Sequence, residues 1–239
     1  ILIGAIVWLL TRGGGEVATV TPTPSVTGTP TPTPIVTLQS LFTGLSNASI
    51  NLSATTNLSD EFKNQVNQIS VMPGEIKQLI VTSATKGGGE LNFTDLIDRL
   101  LIAYPAELKQ TLGNEYIMLV YGQKEIFNST GTVSQATIGQ PRLIFVTQVS
   151  DTTRSSELIR NWEATMTDQL YLLLGYTKNK VASQTFLDNT YAGAAIRYKN
   201  YPYPDMTSDY SLVSATNNRT YFVLANSREG VYKVIDILR

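Results

Sequence analysis

A proline-rich stretch divides this chain into two unequal parts. Residues 19–37 read TVTPTPSVTGTPTPTPIVT, in which proline alternates with threonine, serine and valine. Proline fixes the backbone angle φ, lacks an N–H donor and pushes the residue before it into extended space. The stretch therefore cannot form a helix or a central strand, and its few large apolar side chains predict a solvated polyproline II spacer. A PxxP ligand is the alternative, although the flanking Arg or Lys of many such ligands is missing.

An apolar run opens the sequence before this spacer. Ile1–Leu10 reads ILIGAIVWLL and precedes Arg12. A membrane-spanning helix needs roughly 20 apolar residues, about twice the length of this run. Because the sequence starts at Ile rather than Met, we predict that residues 1–12 are the C-terminal part of a transmembrane helix, with Trp8 near the interface. The apolar core of a signal peptide is the alternative, but no clear A-x-A cleavage site follows.

These two features predict a three-part organisation. Residues 1–12 would anchor the chain in a lipid bilayer, and residues 13–37 would form a disordered linker that is first Gly-rich and then Thr/Pro-rich. Residues 38–239 would form the folded domain, which is long enough to bury a core. Because Thr/Pro spacers usually separate a membrane from an outward-facing domain, we expect the domain on the extracytoplasmic side of a single-pass membrane protein.

Composition excludes several chemistries. The chain has 18 basic and 19 acidic residues and no basic run, which argues against a nucleic-acid partner. It has no cysteine, so it forms no disulfide or thiolate metal site. It has no histidine, which removes Ser-His-Asp and Cys-His catalysis and imidazole zinc sites. We therefore expect no cofactor and no metal site, and we lean towards a protein that is not an enzyme.

Periodicity predicts the longest helix with defined ends. Ser155–Leu174 has apolar residues at helical spacing on one face, namely Ile159, Trp162, Met166 and Leu170. Polar residues at 151–153 supply N-terminal caps, and Gly175 is the expected residue after the helix. We interpret this face, including Trp162, as core.

Short apolar runs predict the principal strands. They are Glu115–Gly122, Arg142–Val149 and Thr220–Ala225, and the polar segment Gln123–Gln140 between the first two is interpreted as a hairpin. A final helix follows the last strand. Asn226, with Glu229 three residues later, has the spacing of a capping box for that helix.

The order of elements predicts an α+β fold. Residues 38–140 read β-α-β-α-β and residues 141–239 read β-α-β-β-β-α, an order typical of helices packed on one face of a mainly antiparallel sheet. The two segments are interpreted as two ferredoxin-like halves, although no shared motif links them.

Three stretches carry a family resemblance. They are Tyr116–Gly122 (YIMLVYG), Arg142–Leu170, which contains a strand and the Trp-Glu of the long helix, and Thr220–Leu238, where a strand ends in Ala-Asn-Ser before the last helix. Together they resemble uncharacterised bacterial single-pass membrane-anchored proteins with a Pro/Thr-rich linker and a C-terminal α+β domain of unknown function. The resemblance covers most of residues 38–239. It implies the anchored architecture and carries over no catalytic residues.

A tyrosine- and proline-rich segment is the candidate interaction surface. The sequence YKNYPYPD places rigid, amphipathic rings at low entropy cost, as binding surfaces do. The predicted contact residues are Tyr198, Tyr201, Pro202, Tyr203 and Pro204. The alternative is that these tyrosines pack against their own domain. An envelope protein or a glycan is the expected partner.

The sequence leaves three functions open. We favour a non-catalytic interaction or scaffolding module of the cell envelope. A carboxylate-based hydrolase acting on envelope polymers is the first alternative, and it would draw on Asp188, Asp205 and Asp209 together with Glu163 or Asp168. A small-ligand sensor domain is the second alternative.

Overall fold

The computed structural model describes residues 36–53, 57–84, 87–175, 183 and 185–239. Contacts group Val36–Arg239 into one compact unit. The predicted membrane anchor, and the linker up to Ile35, lie outside the described residues. Within those ranges, no helix combines the length and the apolar character that crossing a membrane requires.

Fifteen helices and strands make up the described part of the chain. The helices are α1 (Leu38–Leu41), α2 (Leu58–Asn67), α3 (Phe93–Arg99), α4 (Ala106–Thr111), α5 (Thr152–Leu174) and α6 (Arg228–Leu238). The strands are β1 (Asn47–Leu52), β2 (Ile76–Ser83), β3 (Gly89–Glu90), β4 (Leu112–Phe127), β5 (Val133–Val149), β6 (Leu187–Tyr191), β7 (Ala194–Asn200), β8 (Thr207–Ser214) and β9 (Thr220–Ala225).

All nine strands belong to one sheet. Its order is β1-β2-β4-β5-β9-β8-β7-β6, and β3 pairs with the end of β2. Only β1 and β2 run parallel, and every other pair is antiparallel. The predicted α+β class with a mainly antiparallel sheet is confirmed. The predicted division at residue 140 falls inside β5, so the sheet runs without interruption through both predicted halves.

Helices cover both faces of this sheet, which corrects the expectation of one covered face. Strand β9 shows the arrangement, because its side chains alternate between two separate cores. Phe222 and Leu224 belong to the core under α2–α5, where Trp162 is only 2% exposed. Tyr221 and Val223 belong to the core under α1 and α6. Continuous apolar runs such as TYFVLA are typical of strands buried on both faces.

The long helix α5 ends at Leu174 as predicted, but it begins at Thr152, three residues before the predicted start. The Asp151 side chain accepts a hydrogen bond from the Arg154 N–H, and Gly175 adopts the left-handed conformation with φ of 74°. Glycine takes this conformation without the steric cost of a Cβ atom, which explains why the helix ends there.

The cap of α6 differs from the prediction. Ser227, not Asn226, accepts the hydrogen bond from the Gly230 N–H. Asn226 is buried and joins two other elements: its Oδ1 accepts from the Leu143 N–H at 2.7 Å, and its Nδ2 donates to the Leu174 carbonyl at 2.6 Å. The capping-box assignment of Asn226 was therefore wrong, because long-range partners determine how its amide is used.

Strands β4 and β5 form a long hairpin that extends beyond the positions predicted for them. The polar segment between the two apolar runs is the outer half of this hairpin, as predicted, and it contains a bulge between Gln123 and Glu125. Asn128 organises the tip, because its Oδ1 accepts hydrogen bonds from the backbone N–H groups of Thr130 and Thr132. The tip reaches the loop that joins β7 to β8.

Candidate functional site

The predicted Tyr/Pro segment forms the tight connection between β7 and β8. The Tyr201 N–H donates to the Met206 carbonyl at 2.8 Å, and the Met206 N–H donates to the Tyr203 carbonyl at 3.1 Å. The peptide bond between Tyr201 and Pro202 is cis. We call residues 201–206 the β7–β8 loop. Its backbone is held by its own hydrogen bonds, so its side chains are presented in fixed directions.

Tyr201 is a core residue, which corrects its prediction as an exposed contact residue. Only 4% of it is exposed, and its hydroxyl lies 2.9 Å from the hydroxyl of Thr167 on α5. The alternation of Tyr and Pro places neighbouring rings on different sides of the loop. The Tyr201 ring therefore anchors the loop to the domain, while the Tyr203 ring faces the hairpin tip.

Tyr203 is half-buried and faces the tip of the β4–β5 hairpin. Its ring stacks on Phe127 with a centroid distance of 5.4 Å and an angle of 19° between the ring planes. Its hydroxyl donates to the Ser129 carbonyl at 3.2 Å. At Gly131, whose φ is +82°, an added Cβ would lie 3.1 Å from this ring. The loop and the hairpin tip therefore fit closely against each other.

Around this contact, residues of the loop and of the hairpin tip line a pocket of about 410 Å³. This volume falls within the range of small-molecule sites, roughly 300–1,000 Å³. Its lining residues come from the hairpin, the loop, the end of α5 and the start of the apolar part of β5: Phe127, Asn128, Ser129, Arg142, Gly175, Tyr201, Pro202, Tyr203, Asp205 and Met206.

Three of the five predicted contact residues line this pocket, namely Tyr201, Pro202 and Tyr203. The other two, Tyr198 and Pro204, are not among its lining residues. Tyr198 packs under the guanidinium of Arg228, 5.7 Å from the ring centroid, and the Pro204 carbonyl accepts from the Arg228 N–H at 3.2 Å.

Arg142 is the buried cation of the pocket. It is only 8% exposed. Its Nε donates to the Asp205 carbonyl at 2.7 Å, its Nη2 to the Gln140 Oε1 at 2.9 Å, and its Nη1 to the Pro141 carbonyl at 3.4 Å. No carboxylate of the described chain forms an ion pair with it. Burial lowers the pKa of Arg142 from its ordinary value, and the nearby charge of Asp205 opposes this shift.

The sequence analysis missed Arg142, although a signal was present. It stands between Pro141 and the apolar run LIFV. At such a position the side chain of a basic residue is either exposed to solvent or buried together with its charge. Burying a charge is costly unless it gains partners. A charged residue at the start of a buried strand therefore indicates a candidate site, because its charge needs a partner.

Asp205 is the acidic group of the same pocket. Its Oδ2 accepts from the Phe127 N–H at 3.2 Å, which ties the loop to the hairpin. Its Oδ1 accepts no hydrogen bond from the described residues. The pocket therefore contains a cation and an anion that do not pair directly with each other.

The structure does not bring the five candidate catalytic carboxylates together. Asp205 alone among them lines the pocket. Asp168 is exposed, and Asp209 is buried inside the sheet. Glu163 and Asp188 instead share one cation. Arg197 donates to both Glu163 oxygens at 2.7 and 2.6 Å, and its Nη1 lies 2.9 Å from Asp188.

Glu163 is unsuited to act as a general acid. Burial alone would raise its pKa, but hydrogen bonds from Arg197 and Tyr210 and the charge of Arg197 hold the pKa of Glu163 below its ordinary value. A carboxylate in this state has no proton to donate near neutral pH. The Glu163–Arg197 pair therefore joins α5 to β7 as a structural contact.

Neither metal ligation nor a known relative identifies the site. Within the described ranges, no three acidic residues are grouped so that they could hold a metal ion. The chain matches no protein-family model, no curated protein and no solved structure. The resemblance to membrane-anchored bacterial proteins therefore stays a prediction.

Proposed function

We propose that this chain is a non-catalytic binding module and that the pocket between the β4–β5 hairpin tip and the β7–β8 loop is its recognition site. One observation carries the proposal: the pocket combines stacked aromatic walls with the buried, unpaired charge of Arg142. Aromatic and Arg side chains are the residues that dominate binding energy at recognition sites. The partners of this buried cation are neutral oxygens, including the Asp205 carbonyl, and a buried charge gains from an anionic partner that a ligand can supply.

The chemistry of the chain supports binding rather than turnover. The five carboxylates that a hydrolase could use do not meet in the pocket, and two of them, Glu163 and Asp188, are bound to Arg197. The chain has no histidine or cysteine to replace them. The described residues of the pocket therefore offer groups that hold and orient a ligand, and no acid–base pair is present among them.

Mapping of ligand binding by NMR on the full chain tests the proposal. Backbone amide NMR spectra would be recorded during titration with defined panels of free amino acids, short peptides and monosaccharides. We expect one panel to shift the amides of Phe127, Ser129 and Met206. Shifts confined to other surfaces, no shifts with any panel, or chemical conversion of a panel member would contradict the proposal.

A pair of tyrosine variants sharpens this experiment. Tyr203→Ala removes one ring of the stacked wall and should abolish the shifts. Tyr191→Ala is the matched control, because Tyr191 also stacks face to face on another ring, Tyr232, at 3.9 Å, and it does not line the pocket. Loss of binding in both variants would indicate a general loss of folding.

The anchored, extracytoplasmic location belongs to the same proposal. It is supported by the apolar run of residues 1–12 and by the Thr/Pro-rich linker that follows it. Protease treatment of intact cells, with detection of the C-terminal domain, tests this placement. We expect the domain to be released from intact cells by cleavage in the linker. A domain that is protected from protease in intact cells, and is cleaved only after permeabilisation, would contradict it.

A further inference from the structure

The charges in the pocket are arranged as a separated pair. Arg142 and Asp205 both line it, yet no nitrogen of Arg142 lies within ion-pair distance of an Asp205 carboxylate oxygen in the described structure. Their only direct bond runs from the Arg142 side chain to the Asp205 backbone carbonyl. A ligand that carries both signs of charge could contact each group at once, whereas a singly charged ligand would leave one group unpaired.

The Arg142 guanidinium has capacity for a carboxylate. Three of its five N–H groups donate to protein oxygens, which leaves two for a ligand. A planar guanidinium matches a carboxylate better than a point charge does. Among the described residues that line this pocket, Arg142 is also the only basic one. One cation beside one aspartate favours a monoanionic group over a phosphate dianion.

Asp205 and the stacked rings suit an ammonium group. Asp205 Oδ1 is open to a donor, because the hydrogen bond from Phe127 uses Oδ2. The rings of Tyr203 and Phe127 form the adjacent wall, and an aromatic face attracts a cation. Pro202 and Met206 add apolar lining for the remainder of the ligand.

From this arrangement we infer that the pocket binds a free α-amino acid with an apolar side chain, in its zwitterionic form. The carboxylate contacts Arg142, the ammonium contacts Asp205, and the side chain lies against the aromatic and proline wall. The inference rests on the proposed function and names its ligand class. A longer peptide is disfavoured, because its two terminal charges are too far apart to occupy both groups.

Three matched probes test the need for both charges. They are L-phenylalanine, N-acetyl-L-phenylalanine, which lacks the ammonium, and L-phenylalaninamide, which lacks the carboxylate. Binding to the full chain would be measured by amide NMR titration. We expect each singly charged probe to bind at least about tenfold more weakly than the amino acid, since each loses a charge-assisted hydrogen bond. Equal affinity for all three probes would overturn the inference.

Two variants assign each charge to its residue. Asp205→Asn keeps an acceptor for the Phe127 N–H and removes the negative charge. It should weaken L-phenylalanine and L-phenylalaninamide and leave N-acetyl-L-phenylalanine unchanged. Arg142→Lys keeps the charge and removes the planar fork, so it should weaken the two carboxylate probes. Asp188→Asn is the control, because its carboxylate is 79% exposed and lies outside the pocket.

The outcomes separate the inference from the function on which it rests. If monosaccharides or peptides shift the pocket amides and free amino acids do not, the ligand class is wrong and the binding module stands. If no probe reaches the pocket in a folded chain, both are wrong. If Asp205→Asn weakens N-acetyl-L-phenylalanine as much as L-phenylalanine, the ammonium contact is wrong.

Discussion

The Thr207 hydroxyl and the Asp209 carboxyl contact each other at 2.5 Å, and both side chains are buried in the sheet. The same hydroxyl lies 3.0 Å from the Lys199 carbonyl, which can only accept. A hydroxyl has one proton to donate. When that proton goes to Lys199, the contact with Asp209 requires a proton on the carboxyl. The geometry therefore fits a neutral Asp209, and burial raises the pKa of Asp209 to about 7.

This pair predicts a pH dependence of stability. The pKa of Asp209 lies higher in the folded chain than its ordinary value of 3.8, so the folded state binds more protons between these two values. Stability from this group should therefore be complete below about pH 4 and be lost as pH rises through about 7, with a slope of at most about 1.4 kcal/mol per pH unit.

Asp209→Asn isolates this effect, because asparagine keeps the oxygen that contacts Thr207 and cannot ionise. Urea unfolding of both proteins at pH 4.5, 6 and 8 measures it. We expect the variant to gain stability relative to the natural protein as pH rises. Parallel curves for the two proteins would show that Asp209 does not titrate in this range.

The second prediction concerns Trp162 on α5. Trp162→Ala should lower the free energy of unfolding by about 3–5 kcal/mol, because the ring is buried in the core beneath the helix and its removal leaves a cavity. Asn161→Ala is the control. Asn161 precedes Trp162 in the sequence but is exposed, so its substitution should change stability by no more than about 0.5 kcal/mol. Denaturant unfolding measures both. A similar effect of the two substitutions would argue against a packed core at this face.

Local signals in the sequence accounted for much of the fold. The C-terminal end of α5 followed from Gly175, and the bounds of β9 followed from its apolar run. Periodicity and caps act within a few residues, so a single sequence displays them. The cores on both faces were foreseeable in part, because runs such as TYFVLA have no polar face.

Long-range pairings were not foreseeable from the sequence. Arg142 and Asp205 are 63 residues apart, and their contact depends on how the β4–β5 hairpin meets the β7–β8 loop. Nothing local distinguishes the buried Tyr201 from the half-buried Tyr203, because both follow the same Tyr-Pro pattern. The sequence therefore pointed to the loop that lines the pocket, but the charged groups of the pocket and the depth of its rings required the structure.

The third prediction concerns Asn226, whose local pattern suggested a helix cap. Asn226→Ala should destabilise by at least about 2 kcal/mol, because it leaves the buried Leu143 N–H and Leu174 carbonyl without their partner. Glu229 accepts instead from the N–H groups of Lys124 and Glu125. The effects of Asn226→Ala and Glu229→Gln should therefore add to within about 0.5 kcal/mol in a double-mutant cycle. A larger coupling would support the capping box.

The fourth prediction concerns Gly122 in the long hairpin. A Cβ atom there would lie 1.9 Å from the Met72 carbonyl oxygen, and backbone atoms cannot move aside as a flexible side chain can. The Gly122 N–H and carbonyl also bond the segment before β2, to the Glu75 carbonyl and the Gly74 N–H. Gly122→Ala must therefore displace this segment from β4, and we expect a loss of about 3 kcal/mol or more in stability.

Gly113 on the same strand provides the matched control. The three atoms nearest to a Cβ atom there belong to the Gln148 side chain, all at 3.1 Å, so the approach is less close than at Gly122 and involves no backbone atom among these three. Gly113→Ala should therefore cost less than about 1 kcal/mol. Urea unfolding of both variants measures the difference, and amide NMR locates it: the shifts for Gly122→Ala should centre on residues 71–75. Equal stability of the two variants would show that the segment before β2 does not approach β4 this closely.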